Sequence, residues 1–207
     1  MSALPERLLT APEKTDWLRL IRSSNVRPIT FFKLLERFGT ATAALDALPD
    51  LARRGGGKAI KPASRAEAER EQELLQKLGA KLIAWGEPGY PPLLQHIDDP
   101  PPLISVLGHA HLLTKKTIAV VGARNASLNG KKFARNIAAG LGAGGLMVSS
   151  GMARGIDAEA HMGALDTGTV GVLAGGVDII YPKENETLYG QLIERGALIS
   201  EIAPGTK

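Results

Sequence analysis

Three short stretches in the second half of the chain hold residue types that suit an anion. The first is Gly122, Ala123, Arg124, Asn125 and Ser127, inside the run VVGARNASLNG from Val120 to Gly130. The second is Ser149, Ser150, Gly151, Met152, Ala153, Arg154 and Gly155, and the third contributes Gly175, Gly176, Asp178, Tyr181, Lys183 and Asn185. Glycines admit close approach of backbone N–H groups, small hydroxyls donate, and each stretch carries a cation. Glycine and serine are also ordinary turn residues, so any one stretch alone is weak. All three together describe a pocket for phosphate.

Other chemistry fits these residues less well. A dinucleotide fingerprint needs G-x-G-x-x-G after a strand and an acidic residue ending the next one. Here the turn reads Gly122-Ala123-Arg124-Asn125-Ala126-Ser127 and the next strand ends Ser149-Ser150-Gly151, so NAD and NADP are not expected. Ser150, Asp157 and His161 invite comparison with a catalytic triad. SSGMARG, however, lacks the Gly-x-Ser-x-Gly elbow, and Asp157 and His161 stand one helical turn apart, the spacing of a helix ion pair. Asp157 is expected to orient Arg154 or cap its helix, and His161 to pack or hydrogen-bond at the domain surface. No His and carboxylate cluster has metal-ligand spacing, and without cysteine thiolate chemistry is excluded. No cofactor and no catalysis are expected.

The elements that must position these residues follow from the apolar pattern. From Thr117 onward strands and helices alternate: TIAVVGA, NGKKFARNIAAGL, LMVSSG, IDAEAHMGAL, TVGVLAGG, ENETLYGQLIER and ALISEIA. The strands are continuously apolar, as in a parallel sheet buried on both faces. This predicts a Rossmann-like, doubly wound α/β domain whose ligands sit beyond the carboxyl ends of the strands. Phe133, Ile137 and Leu141 are expected to pack the first helix on the sheet. Upstream, AKLIAWG and PLISVLG read as edge strands flanking a proline-rich connector. The series halts after four strands at Lys207, so a continuation completing the sheet is expected.

Before about Gly79 the chain reads as short helices. Trp17, Leu20 and Ile21 share one face; Ile29, Phe32, Leu35 and Phe38 recur at helical spacing until Gly39; Thr40 caps a helix that Pro49 ends; Ser64 and Glu67 form a capping box. NVRPITFFKLLERFG resembles a helix-hairpin-helix with Arg27-Pro28 in place of the usual Gly-Pro, and RRGGGKAIKP is a basic loop. The expected domains are 1–79, a small all-α module of SAM or helix-hairpin-helix type, and 80–207, the α/β domain.

Composition sets outer bounds. The 207 residues are 44% hydrophobic with a net charge of +4, which suits a folded protein with a polyanionic partner. No apolar run approaches the roughly 18 residues of a membrane span, and no signal peptide is evident, so a cytoplasmic setting is expected.

GARNAS, SSGMARGIDAEAH, VGVLAGGVDIIYPKEN and LISEIAPGT occur in this order between Ala119 and Thr206, and with them the sequence closely resembles the DNA-processing protein A family, DprA or Smf. The resemblance implies binding of single-stranded DNA without sequence specificity, protection of incoming DNA during natural transformation, and loading of the recombinase RecA. It assigns the DNA backbone to Gly122, Ala123 and Arg124, to Ser150, Gly151 and Ala153, and to Lys183; the residue pattern adds Arg154, with Tyr181 as a base-stacking platform. It also implies a homodimer, through a region beyond Lys207. A Rossmann-like nucleotide hydrolase of the phosphoribohydrolase type is the competing reading. Ala174-Gly175-Gly176-Val177-Asp178-Ile179 lacks that group's threonine and glutamate.

Overall fold

The computed structural model describes residues 7–54 and 61–207. Residues 55–60, most of the basic glycine-rich stretch, lie outside the described residues.

Four helices build the first core: α1 (Ala11–Arg22), α2 (Pro28–Phe38), α3 (Ala41–Arg54) and α4 (Arg65–Lys77). Capping boxes start α1 and α4, the first between Thr10 and Glu13, the second between Ser64 and Glu67. Thr40 accepts the Ala43 N–H, and Gly39 ends α2 at φ +77°, a conformation that costs a side-chain-bearing residue. Trp17 and Phe31 meet edge to face, with ring centroids 5.0 Å apart.

Two helical expectations change. In α2 Leu35 is buried and Phe32 and Phe38 pack against the core, while Ile29 is exposed and Phe31 and Leu34 are buried in addition. Pro49 lies inside α3 and does not end it. Proline removes one N–H and crowds the preceding turn, but the helix continues past it.

The α/β part contains β1 (Lys81–Ala84), β2 (Leu103–Gly108), β3 (Thr117–Ala119), α5 (Leu128–Ala143), β4 (Met147–Gly151), α6 (Ile156–Ala164), β5 (Thr169–Val172), α7 (Glu186–Arg195) and β6 (Ala197–Ser200). The strands lie in the order β1-β2-β6-β5-β4-β3. β3, β4, β5 and β6 are mutually parallel neighbours, and β2 runs antiparallel to β6. The sheet is therefore mostly parallel. β2 is an interior strand, unlike the edge position expected of it; β1 takes the edge.

Compact packing divides the chain into Met1–Gln76 with Leu82–Ile104, and Lys77–Lys81 with Ser105–Lys207. The border differs from the expected one after residue 79 because Ala84 and Leu103 are buried in the helical core and Leu82 and Trp85 pack against it. Glu87, itself buried, accepts from the Leu9 and Ala84 N–H groups, both at 2.9 Å, and from Lys14 Nζ at 3.0 Å.

Two expectations about the second unit are corrected. β3 is an edge strand with Ile118 and Ala119 exposed, so burial on both faces holds for β6 but not here. In α5 the buried residues are Ala134, Ala138 and Gly142, while Phe133 is 66% exposed, Ile137 is exposed and Leu141 is half-buried. α5 lies so close to α6 that a β-carbon on Gly163 would run into the Arg135 carbonyl. Only small residues fit that face.

Candidate nucleic-acid interface

Because β3, β4 and β5 are adjacent and parallel, their carboxyl ends deliver the three anion-suited stretches to one side of the sheet. Hydrogen bonds join the stretches. Ile156, the first residue of α6, donates its N–H to the Ala123 carbonyl at 3.2 Å. Asn185 Nδ2 donates to the Met152 carbonyl at 2.8 Å and to the Ala153 carbonyl at 3.3 Å. The first stretch is thus tied to α6, and the third to the second.

Gly155 explains how α6 reaches the first stretch. It adopts φ +83°, and a β-carbon there would collide with the carbonyl oxygens of Ala123 and Arg124. Gly122 has a similar role, since its β-carbon would lie 2.7 Å from Ile156 Cγ1. These two glycines serve contact between loop and helix.

The cations differ in availability. Arg124 and Lys183 are exposed, and neither has an ion-pair partner among the described residues. Arg154 is exposed as well, but lies 4.0 Å from Glu184 Oε1, a long pair between two solvated groups that contributes little. Tyr181 is 75% exposed, with its ring available to a stacking partner. Tyr189, the other aromatic in this region, is buried and donates its hydroxyl to the Val177 carbonyl at 2.6 Å. Burial raises its phenol pKa above the ordinary value, with the Asp178 charge adding to the effect.

Several polar residues face inward, against expectation. Ser150 is 3% exposed and donates its hydroxyl to the Val120 carbonyl at 2.5 Å, so the hydroxyl ties β4 to the chain just beyond β3. Gly151 and Ala153 are half-buried, leaving Gly122, Ala123, Arg124, Arg154 and Lys183 as the exposed residues among the backbone contacts assigned from sequence.

Asp157 is 8% exposed; its Oδ1 accepts the Gly122 N–H at 3.4 Å. It neither pairs with Arg154 nor caps α6, whose N-cap is Gly155. His161 is 0% exposed, corrected from the expected surface position. Its Nε2 lies 2.8 Å from the Gly151 carbonyl, and its Nδ1 lies 2.8 Å from Thr169 Oγ1. Burial pushes its pKa below the ordinary 6.5, opposed by the Gly151 carbonyl and the Asp157 charge. With the Ser150 hydroxyl on Val120 and both His161 nitrogens engaged elsewhere, the three residues do not form a triad.

Among the described residues, no group of three or more His, Asp or Glu side chains is placed to hold a metal ion, and no helix is long and apolar enough to cross a membrane.

Comparison with known proteins gives this arrangement a context. The family described as DNA recombination-mediator protein A matches residues 81–207, and a DprA-like N-terminal HHH domain matches residues 11–73. Protein Smf of Synechocystis sp. is 30% identical over 208 residues, covering 94% of this chain and 52% of that protein. DNA processing protein DprA of Streptococcus pneumoniae is 39% identical over 118 residues, covering 56% of this chain and 42% of that protein. The chain therefore spans about half the length of these relatives. The X-ray structure of the Streptococcus pneumoniae protein superposes with a TM-score of 0.72 at 29% identity, over 96% of this chain and 70% of that one. DNA processing protein A from Helicobacter pylori, described for its single-stranded DNA binding mode, superposes with a TM-score of 0.55 at 25% identity, over 62% of this chain and 58% of that one.

Proposed function

Because the chain belongs to the DNA recombination-mediator protein A family, we propose that it binds single-stranded DNA through the strand-end loops, without sequence specificity and without catalysis. The observation that carries this reading is the pair Arg124 and Lys183, exposed cations without ion-pair partners among the described residues, on the first and third loops beyond the carboxyl ends of parallel strands. Charge-assisted hydrogen bonds to phosphate are worth roughly 1.5 to 3 kcal/mol each and read no base. Tyr181 offers one stacking face, and base stacking tolerates any sequence. The DNA-binding mode described for the Helicobacter pylori relative supports the same ligand.

The biological role in this reading is that of the family: protecting incoming strands and delivering them to RecA during natural transformation and recombination, in the cytoplasm. Support for delivery comes from the family's description as a recombination mediator. A homodimer belongs to the same reading.

Fluorescence anisotropy with labelled oligo-dT tests the DNA-binding step. Affinity should fall with salt, by about 0.7 log–log slope units per phosphate neutralised. Salt-independent affinity would contradict phosphate binding. RecA delivery is tested separately by RecA filament assembly on single strands coated with a single-strand-binding protein: faster assembly supports mediation, and an unchanged rate counts against it.

A further inference from the structure

Two buried polar side chains, one turn apart on α6, each reach a different anion-suited loop. Asp157 Oδ1 accepts the N–H of Gly122, which precedes Ala123 and Arg124. His161 Nε2 lies 2.8 Å from the carbonyl of Gly151, the last residue of β4, where the second stretch begins to leave the sheet. A carbonyl only accepts, so Nε2 carries a proton and donates it. The other edge of the imidazole is fixed by Thr169 Oγ1, which is itself 2.8 Å from the Val148 carbonyl.

Close packing leaves this arrangement little freedom. A β-carbon on Gly151 would lie 2.7 Å from Asp157 Oδ2, so the loop glycine and the carboxylate are in direct apposition. A buried carboxylate normally needs a cation or several donors. Here its hydrogen bond goes to the backbone of the loop that presents Arg124.

We propose that Asp157 and His161 are positioning residues, an internal strut that holds the Gly122–Arg124 turn and the Ser150–Gly151 turn at one spacing so that cations on separate loops engage the same DNA strand. The proposal rests on the single-stranded DNA reading. Neither residue contacts DNA; each acts through the backbone it holds. Removing either acceptor or donor deletes the hydrogen bond that holds the Gly122 N–H or the Gly151 carbonyl in place, which favours a displaced loop.

The test compares Asp157→Ala and His161→Leu with Asp157→Asn and His161→Gln, reading oligo-dT affinity and its salt slope on folded protein. Asn keeps an oxygen for the Gly122 N–H, and Gln keeps an N–H for the Gly151 carbonyl. The Ala and Leu variants should bind about tenfold more weakly with a shallower salt slope, and the amide variants should return to within about threefold of wild type.

Folded Ala and Leu variants with wild-type affinity and slope would overturn the strut, because a purely stabilising role lowers the unfolding midpoint and leaves both unchanged. If those variants do not fold, hydrogen exchange on the wild-type protein decides. A protected Gly122 amide supports the strut, and exchange at the free-peptide rate overturns it. Wild-type protein that shows no salt-dependent oligo-dT binding would contradict the DNA reading itself, while the Gly122 exchange rate would still report on the strut.

Discussion

The side-chain hydroxyl of Ser150 donates to the main-chain carbonyl of Val120 at 2.5 Å, linking β4 to the chain just beyond β3. A serine in a glycine-rich turn invites a phosphate-binding role, but here its bond is internal and 3% of the residue is exposed. Ser150→Ala should therefore destabilise the α/β unit by about 1 to 2 kcal/mol, the cost of losing this hydrogen bond to a partly buried carbonyl. Urea unfolding of the variant beside wild type checks this.

Gly155 has a stricter requirement. Its φ of +83° disfavours any side chain, and a β-carbon would strike the carbonyls of Ala123 and Arg124. Gly155→Ala is expected to cost about 1 to 3 kcal/mol from backbone conformation alone, with the collision adding to it. The collision also displaces the Arg124 turn, so oligo-dT affinity should fall along with the unfolding midpoint.

His161 predicts how stability changes with pH. Burial lowers its pKa in the folded state below the ordinary 6.5 of the unfolded chain. Between those two values the unfolded state binds more protons, so this group's contribution is full above 6.5 and is lost as pH falls through the folded-state value. Urea midpoints measured from pH 8 down to pH 5 should decline, and His161→Gln should flatten the part of that decline due to this residue.

In the helical unit the sensitive group is Glu87. It is 4% exposed and accepts from two backbone N–H groups and from Lys14. Glu87→Ala strands the two backbone donors and removes the acidic partner of Lys14, whose Nζ keeps the Leu82 carbonyl at 2.8 Å, and breaking a buried pair of this kind costs about 3 to 5 kcal/mol. Thermal unfolding followed by tryptophan fluorescence reports it, since Trp17 and Trp85 both belong to this unit.

The sequence pattern reveals the alternation of strands and helices after Thr117 because each strand is a continuous apolar run and each helix begins after a glycine or small polar residue. It locates the three loops for the same reason: strand ends are marked by Gly122, Gly151 and Gly175. It misses which face of α5 is buried, because Phe133 and Ile137 are the larger apolar residues while the buried face is made of Ala134, Ala138 and Gly142, with Gly142 held close against Thr167 and Gly163 of α6 against the Arg135 carbonyl. A hydrophobic stripe records transfer free energy and says nothing of how near two helices approach. Side-chain direction is hidden for a similar reason. Ser150, Asp157 and His161 have the composition of a ligand site, and only the backbone path shows that their polar atoms serve Val120, Gly122 and Gly151. Arg124 and Lys183 are exposed cations on the first and third loops, without ion-pair partners among the described residues.

The most direct measurement is the salt dependence of oligo-dT binding by wild type and by Arg124→Glu. Wild type should show a linear log–log decline, and the variant should bind at least about tenfold more weakly with its slope reduced by about 0.7, the loss of one phosphate contact. Wild-type affinity and slope in folded Arg124→Glu would contradict the account.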